Sequence, residues 1–117
     1  MKKLLSRLAL LVISCGCLVY ALPAKAQEGL FITEFMALNN TNVVDEDGEH
    51  SDWIEIYNAH THPTNLLGWH LTDNANNLTK WRFPDRTLPA FSYLIVFASS
   101  KNRTNAGAPL HANFALS

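Results

Sequence analysis

Cysteine is nearly absent from this 117-residue sequence, and the two that occur, Cys15 and Cys17, lie close together near the N-terminus. Cys15-Gly16-Cys17 has the wrong spacing for a redox pair, and nothing downstream can form a disulfide or supply a thiolate. Basic charge is scarce as well. From Gln27 onward there are five basic residues (Lys80, Arg82, Arg86, Lys101, Arg103) against all ten acidic ones, a net charge of −5 with histidine neutral. A phosphate-binding surface needs the opposite balance, which argues against nucleic acid as a partner. Also missing is any sustained helical period. The apolar residues fall in short runs broken by Asn, Asp, Gly and Pro, the punctuation of an all-β chain. Heptads are absent too, which excludes coiled-coil assembly.

What is present begins with an export signal. Lys2, Lys3 and Arg7 precede an apolar stretch from Leu8 to Leu22, and Ala24-Lys25-Ala26 puts small residues where a signal peptidase reads them. We expect residues 1–26 to be removed, leaving a single domain of residues 27–117 in an extracellular, cell-surface or periplasmic compartment. Two alternatives are a retained membrane anchor and lipid attachment at Cys15. The apolar run is shorter than the ~20 residues of a spanning helix. It also continues past Cys15, so a cut there would leave an apolar N-terminus. No membrane span is expected after cleavage.

Five strands are legible downstream. Leu30 to Met36 is the first. Trp53 to Tyr57 alternates, with Ile54 and Ile56 on one face and Trp53, Glu55 and Tyr57 on the other. Trp69 to Thr72 and Lys80 to Phe83 follow, the latter ended by Pro84. Tyr93 to Ala98 is the most apolar. Asn39 to Asp52 and Ser99 to Pro109 read as loops, with Val43 and Val44 a brief extended segment inside the first. Phe114 and Leu116 begin a sixth element just before the sequence stops. A sandwich of this kind needs about seven strands, so we expect the domain to be incomplete at its C-terminus.

Several segments, in order, resemble a known family. Ile32-Thr33-Glu34-Phe35-Met36, Asn39-Asn40, Asp45-Glu46-Asp47-Gly48-Glu49 and Ser51-Asp52-Trp53-Ile54-Glu55-Ile56-Tyr57-Asn58 open the series. Leu67-Gly68-Trp69-His70-Leu71-Thr72-Asp73, Lys80-Trp81-Arg82-Phe83-Pro84, Tyr93 to Ser99 and Asn113 to Ser117 complete it. Together they resemble the lamin tail domain in its bacterial, secreted form. The resemblance implies an immunoglobulin-like β-sandwich. It also implies a domain that accompanies others, including kinase-like, hydrolase and nuclease domains. One departure is the turn before the last long strand, which reads Ala90-Phe91-Ser92 where the family usually has a glycine. Phe91 adopts a positive φ only at a cost.

The candidate chemistry is concentrated in the loop Asp45-Glu46-Asp47-Gly48-Glu49-His50-Ser51-Asp52. Oxygen ligands around a glycine suit calcium, and Asp45, Asp47, Glu49 and Asp52 are the candidates, although their spacing is not that of an EF-hand. The competing reading is a solvated loop turning at Asp47-Gly48, with Asp52 holding backbone amides. His60 and His62 flank Thr61 and would need a third ligand to hold zinc. Among the tryptophans, Trp69 and Trp81 are expected in the core. Trp53 is expected to be exposed, forming with Tyr57 a stacking surface for a carbohydrate. No nucleophile–base pair or phosphate-cradling loop is recognisable.

The sequence therefore points to an all-β, non-catalytic interaction or display module without a resident cofactor. Its expected partners are a neighbouring domain of the same polypeptide, another protein or a cell-surface polysaccharide. Calcium- or carbohydrate-dependent binding, or service as the accessory part of an enzyme with catalysis beyond residue 117, are the alternatives.

Overall fold

The structure, a computed structural model, describes residues 27–116. The expected signal, anchor and lipid-attachment site lie outside the described residues. Eight strands occur among those described: β1 (Leu30–Met36), β2 (Asp52–Asn58), β3 (Thr64–Asn65), β4 (His70–Leu71), β5 (Trp81–Arg82), β6 (Thr87–Leu88), β7 (Tyr93–Ala98) and β8 (Leu110–His111). There is no helix among them. The architecture is an immunoglobulin-like β-sandwich.

The three long strands carry the framework. β1, β2 and β7 run antiparallel, and β8 joins β7 in parallel to give a four-stranded sheet in the order β1-β2-β7-β8. The other layer is built from two short ladders, β3–β6 and β4–β5. Period-2 alternation assigns the faces. Ile54 pairs with Val96, which pairs with Leu110, and Ile56 pairs with Leu94; all are buried. Leu66, Leu71, Trp81, Phe83 and Leu88 close over them from the second layer. This is the core. Trp53, Phe97 and His111 occupy the intervening positions and lie on the opposite, outer face of the sheet.

Asn58 links the two layers. It is fully buried at the end of β2, its amide donates to the carbonyls of His62, Leu88 and Pro89, and its Oδ1 accepts from the His60 amide. A short polar side chain at a strand end thus ties the following turn to the β6 strand, as its place in the sequence suggests.

Several expectations need correction. Trp53 is 4 % exposed, not a surface ring, because the Asn39–Ser51 loop folds over its face of the sheet. Trp69 is 47 % exposed and not a core residue. Gly68 has φ +89°, so the bend before Trp69 requires glycine, and a Cβ there would meet nothing within 4 Å. Val43 and Val44 form no strand. Phe91 does take a left-handed conformation, φ +54°, with its ring exposed. β3, β6 and β8, two residues each, carry no alternation of their own: β8 forms on the edge of β7, and β3 and β6 pair with each other.

Candidate functional site

The outer face of the large sheet has three rows set by strand register. The first is Phe31–Tyr57–Tyr93, the second Glu34–Glu55–Ile95 and the third Met36–Trp53–Phe97–His111. The third row lies beneath the acidic loop and the first does not.

The loop is built around Asp45. Its Oδ1 accepts from the amides of Asp47 and Glu49, and its Oδ2 accepts from the Ser51 hydroxyl. Gly48, at φ +79°, lets the chain turn back so that the Asp45 amide reaches the Glu49 carbonyl. Asp45, Asp47 and Glu49 thereby bring their carboxylates within 4.8 Å of one another. Among the calcium candidates, these three are brought together. Asp52 is not; its carboxylate accepts from the Leu38 and Asn39 amides, the amide-holding role.

A cation of the chain's own sits at that cluster. Lys101 Nζ lies 2.6 Å from Asp45, 2.7 Å from Asp47 and 2.9 Å from Glu49. Arg103 adds contacts of 2.7 Å to Glu46 and 2.8 Å to Asp47. The titration behaviour follows. Burial pushes the Asp45 carboxyl up, but the bonds from Lys101, the Glu49 amide, Ser51 and the Asp47 amide outweigh it and hold it well below the carboxylate range. Arg103 and then Lys101 lower Asp47. His111, with Arg103, lowers Glu46. Desolvation pulls Lys101 down, and its three carboxylate partners together raise it well above its ordinary value.

His111 completes the clamp. It has no solvent exposure, and its ring stacks on Phe97 at 5.1 Å. Its Nε2 lies 2.9 Å from Glu46 Oε2, and its Nδ1 lies 2.7 Å from Ser99 Oγ. A carboxylate only accepts, so Nε2 donates to it, and in the neutral ring Nδ1 then accepts the Ser99 hydroxyl. The order Ser–His–Glu matches that of a catalytic relay. Here the imidazole is sealed and the Lys101 amide donates to Ser99 Oγ at 3.4 Å, so the chain of bonds holds the loop to β8.

The histidine pair behaves differently. His60 and His62 stack at 4.9 Å with planes 9° apart. Their Nδ1 atoms bond Thr64 Oγ1 and the Pro63 carbonyl. Parallel rings point their in-plane lone pairs side by side and not at one point, so this arrangement does not converge on a shared metal.

At the other end of the face Tyr57 and Tyr93 stack at 4.5 Å, with Phe31 paired to Tyr57 from β1. Tyr93 is 59 % exposed and Phe91, in the turn before it, is exposed too. Of the expected surface pair, Tyr57 stands here and Trp53 does not. Sequence reasoning missed Phe31, Tyr93, Lys101, Arg103 and His111 as site residues. Alternation in Tyr93–Ala98 put Tyr93 and Phe97 on one face, but only the register sets Tyr93 beside Tyr57. The loop residues Lys101 and Arg103 carried no signal at all.

The model of the family "Lamin Tail Domain" matches residues 23–117. The chain belongs to that family. No curated protein and no solved structure matches it. Lamin tail domains are immunoglobulin-like binding or structural domains, generally without catalysis. In this lamin tail domain the carboxylates of residues 45–49 are engaged by Lys101, Arg103 and His111, whereas in the aromatic row Tyr93 is exposed and Phe31 and Tyr57 are half-buried.

Proposed function

We propose that this lamin tail domain is an exported, non-catalytic interaction module, accessory to other domains of a larger polypeptide, and that it meets its partner through the row Phe31–Tyr57–Tyr93. The observation that carries the reading is the division of the outer face. One end is occupied by a loop whose carboxylates are bonded by Lys101, Arg103 and His111, while the other presents aromatic rings with polar hydroxyls, the side chains most useful at a recognition surface.

A second reading, carbohydrate binding, is favoured by the exposed Tyr93 ring, which offers a face for sugar stacking beside the acceptor groups of Glu34 and Glu55. The net negative charge directs it towards neutral rather than anionic polysaccharides. Pull-down of the purified protein on insoluble neutral polysaccharides and on cell-envelope material separates the two. Retention on polysaccharide that Tyr93→Ala abolishes supports carbohydrate. Retention on envelope protein alone, lost in the same variant, supports a protein partner. Retention unchanged by Tyr93→Ala and Tyr57→Ala sinks the assignment to this row. Sequencing the reading frame past Ser117 tests the accessory role, which fails if no further domain follows.

A further inference from the structure

β1 departs from the pattern of the other long strands. Its register places Leu30, Ile32 and Phe35 opposite Asn58, Ile56 and Ile54, on the side that faces the core. Yet Ile32 is 58 % and Phe35 65 % exposed. Leu30 and Ile32 also line a cavity of about 180 Å³ together with Ile56, Leu66, Trp69 and Phe83. Among the described residues no strand pairs with the outer edge of β1. An edge with unpaired backbone groups and exposed apolar side chains is a template for another strand.

We propose that this edge pairs antiparallel with β1 of a second copy of the chain, joining two four-stranded sheets into one. The inference stands on the edge of β1 and shares only Phe31 with the aromatic row. Its basis is that β1 is complementary to itself in one register. The ladder with β2 is interrupted between Ile32 and Glu34, so Thr33 is an extra residue, and its hydroxyl donates to Glu55 on the outer side. The core side of β1 is therefore Leu30, Ile32 and Phe35, and the outer side Phe31, Thr33, Glu34 and Met36. Setting Ile32 opposite Phe35 of the second copy also sets Phe31 opposite Met36 and Thr33 opposite Glu34. Every one of these pairs matches in face. A shift of one residue sets Ile32 against Glu34 and Phe31 against Phe35, and the faces no longer match.

Area and charge set the strength. A single seven-residue edge buries roughly half of the ~800 Å² per partner found in stable interfaces, so the dimer dissociates on dilution. The volume of the cavity favours the same occupant. It takes an apolar side chain or two, such as Phe35 of the second copy opposite Ile32 at its rim, and not a folded domain. Glu34 and Glu55 of both copies lie along the outer side of the seam, so their repulsion weakens the pairing and salt strengthens it.

Light scattering and sedimentation of the purified protein over a dilution series test this, with hydrogen exchange at the β1 amides. A monomer–dimer equilibrium is expected. Phe35→Lys abolishes it without changing the circular dichroism, because the ring is exposed in the monomer. Glu34→Gln tightens it by about threefold, because the two Glu34 side chains lie diagonally across the seam, each opposite a Thr33. Protection of the β1 amides rises with concentration. A monomer at every concentration overturns the proposal, as does a dimer indifferent to Phe35→Lys. Full protection of the β1 edge in the monomer overturns it too, because the edge is then covered by the same polypeptide.

Discussion

Two ends of one sheet face have been given opposite treatments. At the covered end, Trp53, Phe97 and His111 are buried beneath a loop carrying four carboxylates between residues 45 and 49. At the other end, Tyr57 and Tyr93 stack on the same strands, a few residues away, and Tyr93 is exposed. Both ends are aromatic, so hydrophobicity does not distinguish them. The difference lies in what holds the cover down: Lys101, Arg103 and His111 all come from the segment that follows β7 and reach across to the loop before β2. A buried aromatic face on the outside of a sandwich therefore depends here on a polar clamp. Where the clamp ends, the face stays available.

The largest test of this contrast compares one ring from each end. Trp53→Ala is expected to cost about 3–5 kcal/mol, as for a large buried aromatic. Tyr93→Ala, which loses a stacked pair on an exposed ring, is expected to cost about 1 kcal/mol. Urea unfolding of the two variants reads the difference directly. Equal losses would mean that the two ends are equally buried in solution.

The clamp comes next. Lys101→Ala leaves Asp45, whose side chain is fully buried, beside Asp47 and Glu49 without their shared cation. Removing one partner of a buried pair costs about 3–5 kcal/mol, and the partial exposure of Lys101 reduces this to about 2–3 kcal/mol. The same variant sharpens the calcium reading. In the parent protein a calcium ion must displace the ammonium, so calcium is expected to leave the melting temperature unchanged. In Lys101→Ala three carboxylates stand free within 4.8 Å, and added calcium is expected to recover part of the loss. A calcium-linked rise in the parent protein would restore the loop as a calcium site.

Acid probes the clamp without mutation. Asp45, Glu46 and Asp47 all titrate below their ordinary values in the folded chain. Depressed carboxylates contribute stability above the unfolded values, near pH ~4, and that stability is lost as pH falls through the folded values. The urea midpoint is therefore expected to drop as pH falls below about 4, and to drop less in Lys101→Ala. Lys101 works in the opposite direction. Its value is raised, so its contribution is present below an unfolded value of ~10.4 and is lost only as pH rises through the folded one. A parallel acid loss in both proteins would detach the pH dependence from this cluster.

Much of the framework was legible in the chain. Period-2 runs and breakers placed β1 and β7, and put Ile54 and Ile56 in the core, because a strand buried on one face writes its alternation into the sequence. The same rule misplaced Trp53. Alternation says that Trp53 lies opposite the core but not that a loop covers it, and the cover is held by ion pairs 54 and 56 residues apart in sequence. The acidic loop was visible as a cluster, and three of its four candidate residues, Asp45, Asp47 and Glu49, do lie together. What could not be read was the cation: a lysine in a Ser- and Asn-rich loop carries no mark of its destination. Trp69 failed for a related reason. Its position beside a strand suggested packing, but the left-handed Gly68 turns it outward to the cavity rim.

The open end has its own local strain, and a small effect tests whether it matters. Phe91 sits at φ +54° in the turn that delivers Tyr93 to β7, and its ring is exposed. A left-handed conformation costs a residue with a Cβ about 1–2 kcal/mol, whereas glycine adopts it freely but loses more backbone entropy on folding, about 0.5–1 kcal/mol. Phe91→Gly is therefore expected to raise stability slightly, by about 0.5 kcal/mol, since the exposed ring gives up little burial. If the row Phe31–Tyr57–Tyr93 is the binding surface and Phe91 belongs to it, the same substitution weakens partner retention while the melting temperature rises. A variant that is more stable and binds equally well would leave Phe91 a turn residue outside the surface. A variant that is less stable would show that the ring packs against something at this end, and the two ends of the face would then differ less than their exposures indicate.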